Sequence, residues 1–342
     1  MPTIKKLKTD FPMKILITGA SGFIGSYIVE EALRLGMETW AAVRKSSSRD
    51  FLHDKRIHFI ELNLSSEEQL KEQLKGHDFD YVVHAAGVTK CLHQEDFFRI
   101  NTEGTQHLVR ALMTLQMPLK RFVYISSLSI MGAIREQQPY EEIRESDTAQ
   151  PNTAYGRSKL EAEKWLDTVQ GLPYVILRPT GVYGPRERDY FMMFKSIKAH
   201  TDFAVGYKRQ DITFVYVSDV VQAVFLACEK GITGRRYFLS DGEVYQSATF
   251  SNLIRRELDV RWWLRITAPI WVLRIVTFCG EYYGRLTGKV TALNNDKYNI
   301  MRQRNWRCDI EPARRELGYE PKVKLEEGVA RAAEWYQLQG WL

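Results

Sequence analysis

The first half of the chain alternates short apolar segments with helical patterns, and this rhythm constrains the fold more than any other feature. Predicted strands cover residues 14–18, 39–43, 58–62, 81–85, 121–126 and 174–179, and helical patterns cover residues 23–35, 67–74, a stretch ending near 115, and 155–168. Strands separated by helices in this way form right-handed βαβ units in a parallel sheet. The sequence therefore predicts an α/β protein with a Rossmann-type, doubly wound parallel sheet.

The pattern becomes less regular after residue 180, where residues 212–217 and 235–240 still resemble strands. A chain of 342 residues is long enough for two lobes. We predict a Rossmann domain over residues 13–180, to which residues 214–240 return. A smaller C-terminal substrate lobe would comprise residues 181–213 and 241–342, and residues 1–12 would be an N-terminal extension.

The composition is that of a globular protein, with 44% hydrophobic and 26% charged residues. The 48 basic and 42 acidic residues are spread along the chain, so the net charge of +6 does not indicate a nucleic-acid partner. The four cysteines lie far apart without a CxxC pair, and we expect neither a metal site nor a disulfide framework. Residues 1–18 lack the apolar core of a secretory signal, which favours a cytoplasmic protein.

Three glycines, Gly19, Gly22 and Gly25, follow the first predicted strand in the segment TGASGFIG. Glycines at such a turn permit a tight reversal, let backbone N–H groups approach a pyrophosphate, and allow the helix to pack close to the sheet. The helix N-terminus then faces the phosphates with its partial positive charge. This spacing predicts a dinucleotide site, and an ordinary strand-to-helix turn is the alternative.

Positive charge follows the second predicted strand in the segment VRKSSS. Dinucleotide folds that prefer NAD place an acidic residue here to hold the ribose 2′-hydroxyl, whereas this chain has Arg44, Lys45 and Ser46. A guanidinium can hold a 2′-phosphate through paired, charge-assisted hydrogen bonds. We therefore expect NADP(H) rather than NAD(H) as the cofactor. A solvated basic loop with an unrelated acidic partner for Arg44 is the alternative.

Tyr155 and Lys159 are four residues apart in the helical segment TAYGRSK and so share one helix face. An ammonium group near a phenol favours the phenolate, so Lys159 is expected to lower the pKa of Tyr155, the candidate general acid or base. Ser127 and Ser129 follow the fifth predicted strand, where a hydroxyl can reach the ligand crevice and bind the substrate oxygen. Hydrogen bonding within the local turn is the alternative for these serines.

Seven segments in order resemble the extended short-chain dehydrogenase/reductase family, the NAD(P)-dependent epimerase/dehydratase superfamily. They are TGASGFIG, HAAG, NTEGT, SSLSIMG, YGRSK, LRPTGVYGP and FVYVSDV, and the terminal LGYEPKVKLEEGVARAAEWY is similar to the end of many members. The resemblance covers nearly the whole chain. It implies that Ser127, Tyr155 and Lys159 form the catalytic set, that Lys159 also contacts the nicotinamide ribose, and that Pro179 lies beside the nicotinamide.

The resemblance also implies which residues contact the ligands. The expected cofactor contacts are Gly19, Ser21, Gly22, Phe23, Ile24, Gly25, Arg44, Lys45, Ser46, Asn63, Leu64, Ala85, Ala86, Gly87, Tyr155, Lys159, Pro179 and Val182. The expected substrate contacts are Thr89, Ser129, Thr180, Tyr183 and Phe191. His84 lies in an apolar run at a strand end and is expected to be structural.

Departures from the family pattern narrow the expected chemistry. Leu128 and Ser129 stand where the dehydratases carry Asp-Glu, so dehydration is not expected. The usual anchors of a nucleotide-sugar diphosphate are missing near residues 180–181 and 212–213, although Arg186, Arg188 or Arg209 could substitute. LRPTGVYGPR and the apolar residues 262–288 look more like the dihydroflavonol reductase and 3β-hydroxysteroid dehydrogenase branch.

The resemblance thus implies an NADP(H)-dependent oxidoreductase that interconverts a ketone and a secondary alcohol on a bulky, largely apolar small molecule. A nucleotide-sugar epimerase and a non-catalytic NADP-binding sensor are the alternatives. The epimerase would use the same Tyr and Ser but retain its cofactor through a transient oxidation. The intact set of Ser127, Tyr155 and Lys159 argues against the sensor, which would not need these catalytic side chains.

Residues 262–288 form the most apolar segment of the small lobe, but Arg265, Arg274 and Glu281 interrupt it, so no transmembrane span is predicted. The segment could be a pocket wall, a surface in contact with a membrane, or a pair of amphipathic helices with Trp262, Trp263 and Trp271 in the core. Pairing of the helical segments 102–115 and 155–169 between two copies would give a homodimer, and packing of their apolar stripes inside one chain is the alternative.

Overall fold

The computed structural model describes residues 12–288 and 294–342, so the predicted N-terminal extension lies almost wholly outside the described residues. The strands are β1 (Lys14–Thr18), β2 (Glu38–Val43), β3 (His58–Glu61), β4 (Tyr81–His84), β5 (Arg121–Ile125), β6 (Tyr174–Pro179), β7 (Gly181–Tyr183), β8 (Thr201–Val205), β9 (Asp211–Ile212), β10 (Phe214–Tyr216), β11 (Arg236–Leu239), β12 (Tyr245–Gln246) and β13 (Leu264–Ala268). The α-helices are α1 (Phe23–Arg34), α2 (Glu67–Leu74), α3 (Gln94–Phe97), α4 (Gly104–Thr114), α5 (Ala154–Leu166), α6 (Asp189–Lys198), α7 (Val217–Lys230), α8 (Ser247–Glu257), α9 (Ile270–Thr287), α10 (Asn295–Arg302), α11 (Glu311–Leu317) and α12 (Leu325–Leu338).

The central sheet confirms the predicted Rossmann-type, doubly wound architecture. Its seven strands are all parallel and lie in the order β11-β6-β5-β4-β1-β2-β3. In the middle strand, Ile15 is in register with Thr39 of β2 and with Tyr81 of β4. The strand order reverses between β1 and β4, and the crevice beyond the carboxyl ends of these strands is the usual ligand site of such folds.

Helices cover both faces of the sheet, which explains why its strands are almost continuously apolar. One face packs against α1, α7 and α11, and the opposite face against α2, α4 and α5. All six residues of β6 are buried. The apolar stripes of α4 and α5, including Leu108, Leu112 and Leu166, lie in this core. Packing inside one chain therefore accounts for these stripes, and the homodimer stays a prediction.

The smaller lobe is built from three two-stranded pairs and an aromatic core. The pairs are β7 with β10, β8 with β13, and β9 with β12. Helices α6, α8 and α12 pack around a cluster that includes Tyr183, Phe194, Phe250 and Tyr336. The predicted strand over residues 212–217 is interrupted at Thr213, whose hydroxyl donates to the carbonyl oxygen of Trp306 at 2.6 Å. Because that segment is divided between β9 and β10, its side chains contribute to two separate strand pairs.

Two segments pack across the predicted domain boundaries. Strand β11 joins the edge of the seven-stranded sheet, as expected for residues 214–240, but β10 pairs with β7 of the small lobe instead. Helix α11, within the predicted substrate lobe, contributes Ala313 and Leu317 to the core of the Rossmann sheet. The division into two domains stays a prediction, and the core residues show that the chain crosses between the lobes more often than the sequence suggested.

Of the alternatives for residues 262–288, the pair of amphipathic helices is not what the structure has. Strand β13 pairs with β8 and leads through Pro269 into the single helix α9. Trp262 and Trp271 are each 66% exposed, so they are not core residues. In the described ranges, no helix is long and apolar enough to cross a membrane.

Candidate active site

The turn between β1 and α1 fits a dinucleotide pyrophosphate. Gly19 has a φ of +68°, and a Cβ there would lie 2.7 Å from backbone atoms of Ala85 and Ala86, which follow β4. A Cβ on Gly25 would lie 2.0 Å from the carbonyl oxygen of Gly19, so α1 can pack this close to the turn only with glycine there. No side chain caps the N-terminus of α1. Its first N–H groups are therefore available to an anion, as the sequence predicted.

The loop after β2 presents positive charge at the same edge of the sheet. Arg44, Lys45 and Ser46 are exposed, and the backbone N–H of Arg44 donates to Ser47 Oγ at 3.0 Å. Among the described residues, no carboxylate lies within ion-pair distance of Arg44. The alternative of an acidic partner for Arg44 therefore has no support in the described part of the chain, and the guanidinium is free to meet an anionic ligand.

The other predicted cofactor positions follow strands at this edge as well. Asn63 and Leu64 come after β3, Ala85, Ala86 and Gly87 come after β4, and Pro179 ends β6, while Val182 lies just beyond it in β7. Ser21, Phe23 and Ile24 belong to the glycine turn and the start of α1. Because the carboxyl ends of parallel strands lie along one edge, the fold gathers these positions around one crevice. Their contacts with a cofactor stay predictions.

Ser127 and Tyr155 lie near each other at the crevice. Ser127 follows β5, and its Oγ accepts the N–H of Ser129 at 3.1 Å. Tyr155 lies in the first turn of α5, and its phenol is near enough to the Ser127 hydroxyl for that hydroxyl to lower the pKa of the phenol. A Cβ on Gly156 would lie 2.5 Å from the carbonyl oxygen of Ser129, so the close approach of α5 to the serine loop depends on this glycine.

Burial raises the pKa of Tyr155 to about 12, and the nearby hydroxyl of Ser127 offsets only part of the rise. The expectation that Lys159 lowers the pKa of Tyr155 is therefore wrong, because desolvation of the phenolate dominates. Lys159 is directed elsewhere: its Nζ donates to the carbonyl oxygen of Ile125 at 2.8 Å and lies 4.6 Å from the centre of the Tyr124 ring. Tyr155 thus keeps its proton at neutral pH and can act as a general acid.

Lys159 lies at the bottom of the crevice with little exposure to solvent. Burial lowers its pKa to about 8, and the carboxylate of Glu163, one helical turn later, opposes that shift. A Cβ on Gly87 would lie 3.3 Å from Lys159 Nζ, so the ammonium lies beside the glycine loop after β4, at the cofactor edge of the sheet, and glycine there leaves it room. Lys159 is therefore charged at neutral pH and placed between the glycine loop after β4 and the carboxyl end of β5.

A buried ion pair supports this lysine, and the sequence analysis missed it. Glu163 is 1% exposed. Its carboxylate accepts hydrogen bonds from Arg178 Nη2, in β6, at 2.5 Å and from the hydroxyl of Ser126. Breaking such a pair leaves an uncompensated buried charge, which typically costs about 3–5 kcal/mol. The signal was present in the sequence, since Glu163 follows Lys159 at the i, i+4 spacing and Arg178 lies in the segment LRPTGVYGP.

Two further residues position the site and were not singled out from the sequence. The carboxylate of Asp296, in α10, accepts the backbone N–H groups of Ala154 at 3.0 Å and Tyr155 at 3.2 Å, at the start of α5. Asn101 is fully buried in a π-helical turn, where its Oδ1 accepts the Val88 N–H at 2.8 Å and its Nδ2 donates to Ser158 Oγ at 3.0 Å. Asn101 could have been found, because it opens the segment NTEGT. No local pattern marks Asp296, which acts across the lobes.

His84 has the structural role expected of it. Its Nδ1 lies 2.7 Å from Thr18 Oγ1 and its Nε2 lies 3.0 Å from Thr105 Oγ1, with the ring fully buried. Burial lowers its pKa to about 3, and the nearby charge of Lys159 adds to this effect. The imidazole is therefore neutral at physiological pH and links β4 to β1 and α4.

The predicted substrate contacts divide into two groups. Thr89 is exposed and Ser129 is half-buried, both beside the crevice. Thr180, in contrast, is buried with its hydroxyl 2.9 Å from the carbonyl oxygen of Thr213. Tyr183 is 1% exposed inside the aromatic core, and Phe191 packs 5.2 Å from the ring of Trp341. Aromatic packing takes up the side chains of Tyr183 and Phe191, and hydrogen bonding takes up the hydroxyl of Thr180, so all three contribute to the small lobe. That they also contact a substrate stays a prediction.

A dinucleotide turn that shares one crevice with a proton-donating phenol is the arrangement of an NAD(P)-dependent enzyme. The chain belongs to the NAD-dependent epimerase/dehydratase family, whose model matches residues 15–240. This match confirms the resemblance to the extended short-chain dehydrogenases and reductases.

The relatives carry the names of both sugar-nucleotide and steroid enzymes. The chain is 28% identical over 345 residues to an uncharacterized UDP-glucose epimerase, YtcB, of Bacillus subtilis (strain 168), covering 93% of this chain and 96% of the relative. It is 26% identical over 359 residues to a 3-beta-hydroxysteroid dehydrogenase of Mycolicibacterium neoaurum, covering 96% and 93%. The fold is shared with the NAD-bound dTDP-glucose 4,6-dehydratase DesIV from Streptomyces venezuelae (TM-score 0.78, 21% identity, 96% and 98% covered). Family membership alone therefore leaves the substrate open.

Proposed function

We propose that the protein is an NADP(H)-dependent oxidoreductase that interconverts a ketone and a secondary alcohol on a bulky, largely apolar small molecule. The observation that carries this proposal is the protonated phenol of Tyr155, held by Ser127 at the crevice and with a pKa raised to about 12. A carbonyl oxygen that gains negative charge during reduction needs a proton donor at this point. A sensor would have no use for such a donor.

The described residues suit the steps of this reaction. When bound, the cofactor supplies or accepts the hydride. Ser127 Oγ can hold the substrate oxygen, and Tyr155 donates its proton to that oxygen during reduction or removes it during oxidation. The ammonium of Lys159, charged below about pH 8, lies at the cofactor edge of the sheet and can hydrogen-bond the nicotinamide ribose of the bound cofactor.

The preference for NADP(H) rests on Arg44. Its exposed guanidinium has no carboxylate partner among the described residues and follows β2, where the 2′ position of the adenosine ribose is expected. An unpaired arginine at this position favours binding of a cofactor with a 2′-phosphate, NADP(H), over one with a 2′-hydroxyl, NAD(H).

Two of the three cations that could anchor a nucleotide-sugar diphosphate are engaged elsewhere. Arg186 pairs with Glu30 at 2.6 Å and stacks 4.2 Å over the ring of Tyr27. Arg188 lies over the ring of Trp341. These contacts favour the ketone reductase over the epimerase, and the 3-beta-hydroxysteroid dehydrogenase relative is compatible with an apolar substrate.

One observation keeps the nucleotide-sugar epimerase as a second candidate. A cavity of about 820 Å³ is lined by Glu136, Gln138, Tyr140, Lys208, Arg209, Ile270, Tyr298, Arg302 and Arg304. Four of these side chains are cationic, and Arg304 Nη2 is buried without a hydrogen-bond partner. Such a cavity could hold the anionic end of a substrate. The third candidate anchor, Arg209, lines it but already pairs with Asp211 at 2.7 Å.

A substrate panel separates the two candidates. We expect oxidation of NADPH in the presence of steroid-sized or flavonoid-sized ketones, and no binding of UDP- or GDP-sugars in calorimetry. Micromolar binding of a nucleotide sugar, together with no turnover across the ketones, would favour the epimerase. The cofactor content of the purified protein is a second readout, because an epimerase that regenerates its cofactor in each cycle tends to retain it.

A further inference from the structure

Helix α9 has its apolar residues on the side that faces away from the protein. Among the described side chains of α9, only Leu273, Thr277 and Gly284 are buried, and Leu273 is the one large apolar residue among them. Its exposed side carries Trp271, Ile275, Val276, Phe278, Tyr282, Tyr283 and Leu286, between 43% and 68% exposed. Five of these, at positions 271, 275, 278, 282 and 286, recur at the three- and four-residue spacing of a single helix face. A helix bathed in water would have the opposite pattern.

The apolar surface continues onto the neighbouring strand pair. Strand β13, which leads into α9, exposes Leu264 and Ile266, and Phe203 of β8 lies opposite Ile266 in the pairing register. Trp262 and Tyr207 flank the pair and are also exposed. We call this set of residues on α9, β13, β8 and their flanks the apolar face. Twelve of the seventeen large hydrophobic residues that are exposed in the described chain belong to it. Exposure of so many large apolar side chains on two consecutive elements, β13 and α9, marks an interaction site.

We propose that the apolar face docks the protein on the surface of a lipid bilayer that contains anionic headgroups. The aromatic residues of the face are mainly Trp and Tyr, whose amphipathic rings are enriched at membrane–water interfaces. Residues 261–288 contain four arginines, at 261, 265, 274 and 285, and one glutamate, at 281. Asp202 of β8 pairs with Arg265 at 3.6 Å, so these residues together carry a net charge of +2. An amphipathic helix with cations around its apolar face lies in the plane of the interface, attracted by both acyl chains and anionic headgroups.

The same charges argue against a second copy of the chain as the occupant. A two-fold dimer places the same patch of each copy against the other. Pairing two apolar faces would therefore bring two surfaces of net charge +2 together, whereas an anionic bilayer complements that charge.

The apolar face lies close to the catalytic helix. Gly284, on the inner side of α9, lines a small cavity together with Phe97, whose ring centre is 6.3 Å from that of Tyr155. Helix α10, which follows α9, carries the Asp296 carboxylate that holds the start of α5. A substrate dissolved in the bilayer would thus meet the protein on the side where α9 and α10 adjoin the site. That consequence rests on the proposed function, whereas docking itself does not.

Sedimentation with vesicles tests the docking. The full chain is mixed with vesicles of phosphatidylcholine alone or of phosphatidylcholine with phosphatidylglycerol. We expect binding to the mixed vesicles that weakens in high salt, with at least ~10-fold weaker binding for the double variant Trp271→Glu, Phe278→Glu. Both side chains are exposed, so this variant should fold, as circular dichroism would check. Arg261→Glu should weaken binding to the anionic vesicles only.

The matched control is Leu338→Glu, which also places a charge at an exposed leucine, 75% accessible, but on α12 outside the apolar face. This variant should bind vesicles as the wild type does. The proposal is overturned if the wild type binds neither vesicle, or if the double variant and Leu338→Glu bind equally. It is also overturned if ultracentrifugation without lipid shows a wild-type dimer that the double variant dissociates, because the occupant is then a second copy. Each of these outcomes is independent of whether a ketone is reduced.

Discussion

Helix α5 buries Lys159 and Glu163, whereas helix α9 leaves Trp271 and Phe278 exposed. Both helices depart from the pattern of apolar residues inside and polar residues outside, in opposite directions. In α5 each buried charge has a partner: the carbonyl oxygen of Ile125 for the lysine and the guanidinium of Arg178 for the glutamate. In α9 the exposed rings stand on the outer side of the described structure.

Such local departures are expected at functional sites, because stability alone would remove them. The comparison assigns them two different tasks. On the proposed function, helix α5 has polar groups inside because the reaction needs a proton donor and a cation away from bulk water. Helix α9 has apolar groups outside because, on our proposal, its outer side is covered by lipid. The tasks should be separable by variants that disable one helix and leave the other intact.

The largest effect is expected at Tyr155. Tyr155→Phe keeps the ring and its packing but removes the transferable proton, so turnover should fall by at least ~10²-fold, with cofactor binding nearly unchanged. Vesicle binding should also be unchanged, because α9 is not altered. Conversely, the Trp271→Glu, Phe278→Glu variant should turn over a water-dissolved ketone at the wild-type rate. Near wild-type turnover by Tyr155→Phe in steady-state assays would remove the catalytic role of the phenol.

The next effect, of similar or smaller size, is expected on cofactor preference when Arg44 is changed. Arg44→Asp replaces attraction for a 2′-phosphate with repulsion. The ratio of kcat/KM with NADP(H) to kcat/KM with NAD(H) should therefore fall by on the order of 10²-fold. Arg261→Asp removes the same charge from the small lobe and should leave the preference unchanged. The measurement is kcat/KM with each cofactor. Tighter binding of NAD(H) than of NADP(H) by the wild type would already contradict the assignment.

The smallest effect concerns the pH dependence of α5. The pKa of Lys159 is lowered to about 8, so its ammonium is lost as pH rises through that value, and reduction should slow above it. Because burial depresses this pKa below its ordinary value, the cost of burying the charged lysine also disappears as the pH rises, and this contribution to stability improves between about pH 8 and 10.5.

The carboxylate of Glu163 raises the pKa of Lys159, so Glu163→Gln should move the descending limb of the kcat profile to lower pH. Glu161→Gln alters an exposed carboxylate on the same helix and should leave the limb in place. If the limb of Glu163→Gln coincides with that of the wild type, a group other than Lys159 controls it.

Much of the fold could be predicted because the strands and helices of the Rossmann sheet follow from local patterns of apolar residues. Strands β1 and β6 have the predicted limits, since a strand buried on both faces is a continuous apolar run. Ser127 and Tyr155 could be paired because both follow recognisable segments at the same sheet edge. In the small lobe the sequence pattern does not show which way a side chain faces, because apolar residues such as Tyr183 can equally face a pocket or a core.

Other features depend on contacts that no local pattern contains. Asp296 reaches α5 from more than a hundred residues away along the chain, and no spacing connects the two. The pKa of Tyr155 depends on how deeply α5 is covered, so the sequence suggested the wrong direction of its shift. The exposure of Trp271 could not be predicted either, because an apolar sequence segment has the same composition whether its side chains are buried or exposed.

The central claim is net hydride transfer to a ketone, with the proton supplied by Tyr155. Its most direct test supplies NADPH that carries deuterium at the transferred position and a bulky apolar ketone, and follows the product by mass spectrometry. The account predicts an alcohol one deuterium heavier, formed in a one-to-one ratio with oxidised cofactor and lost in Tyr155→Phe. Inversion of a nucleotide sugar without net oxidation of the cofactor, and with no labelled alcohol from any ketone, would contradict it.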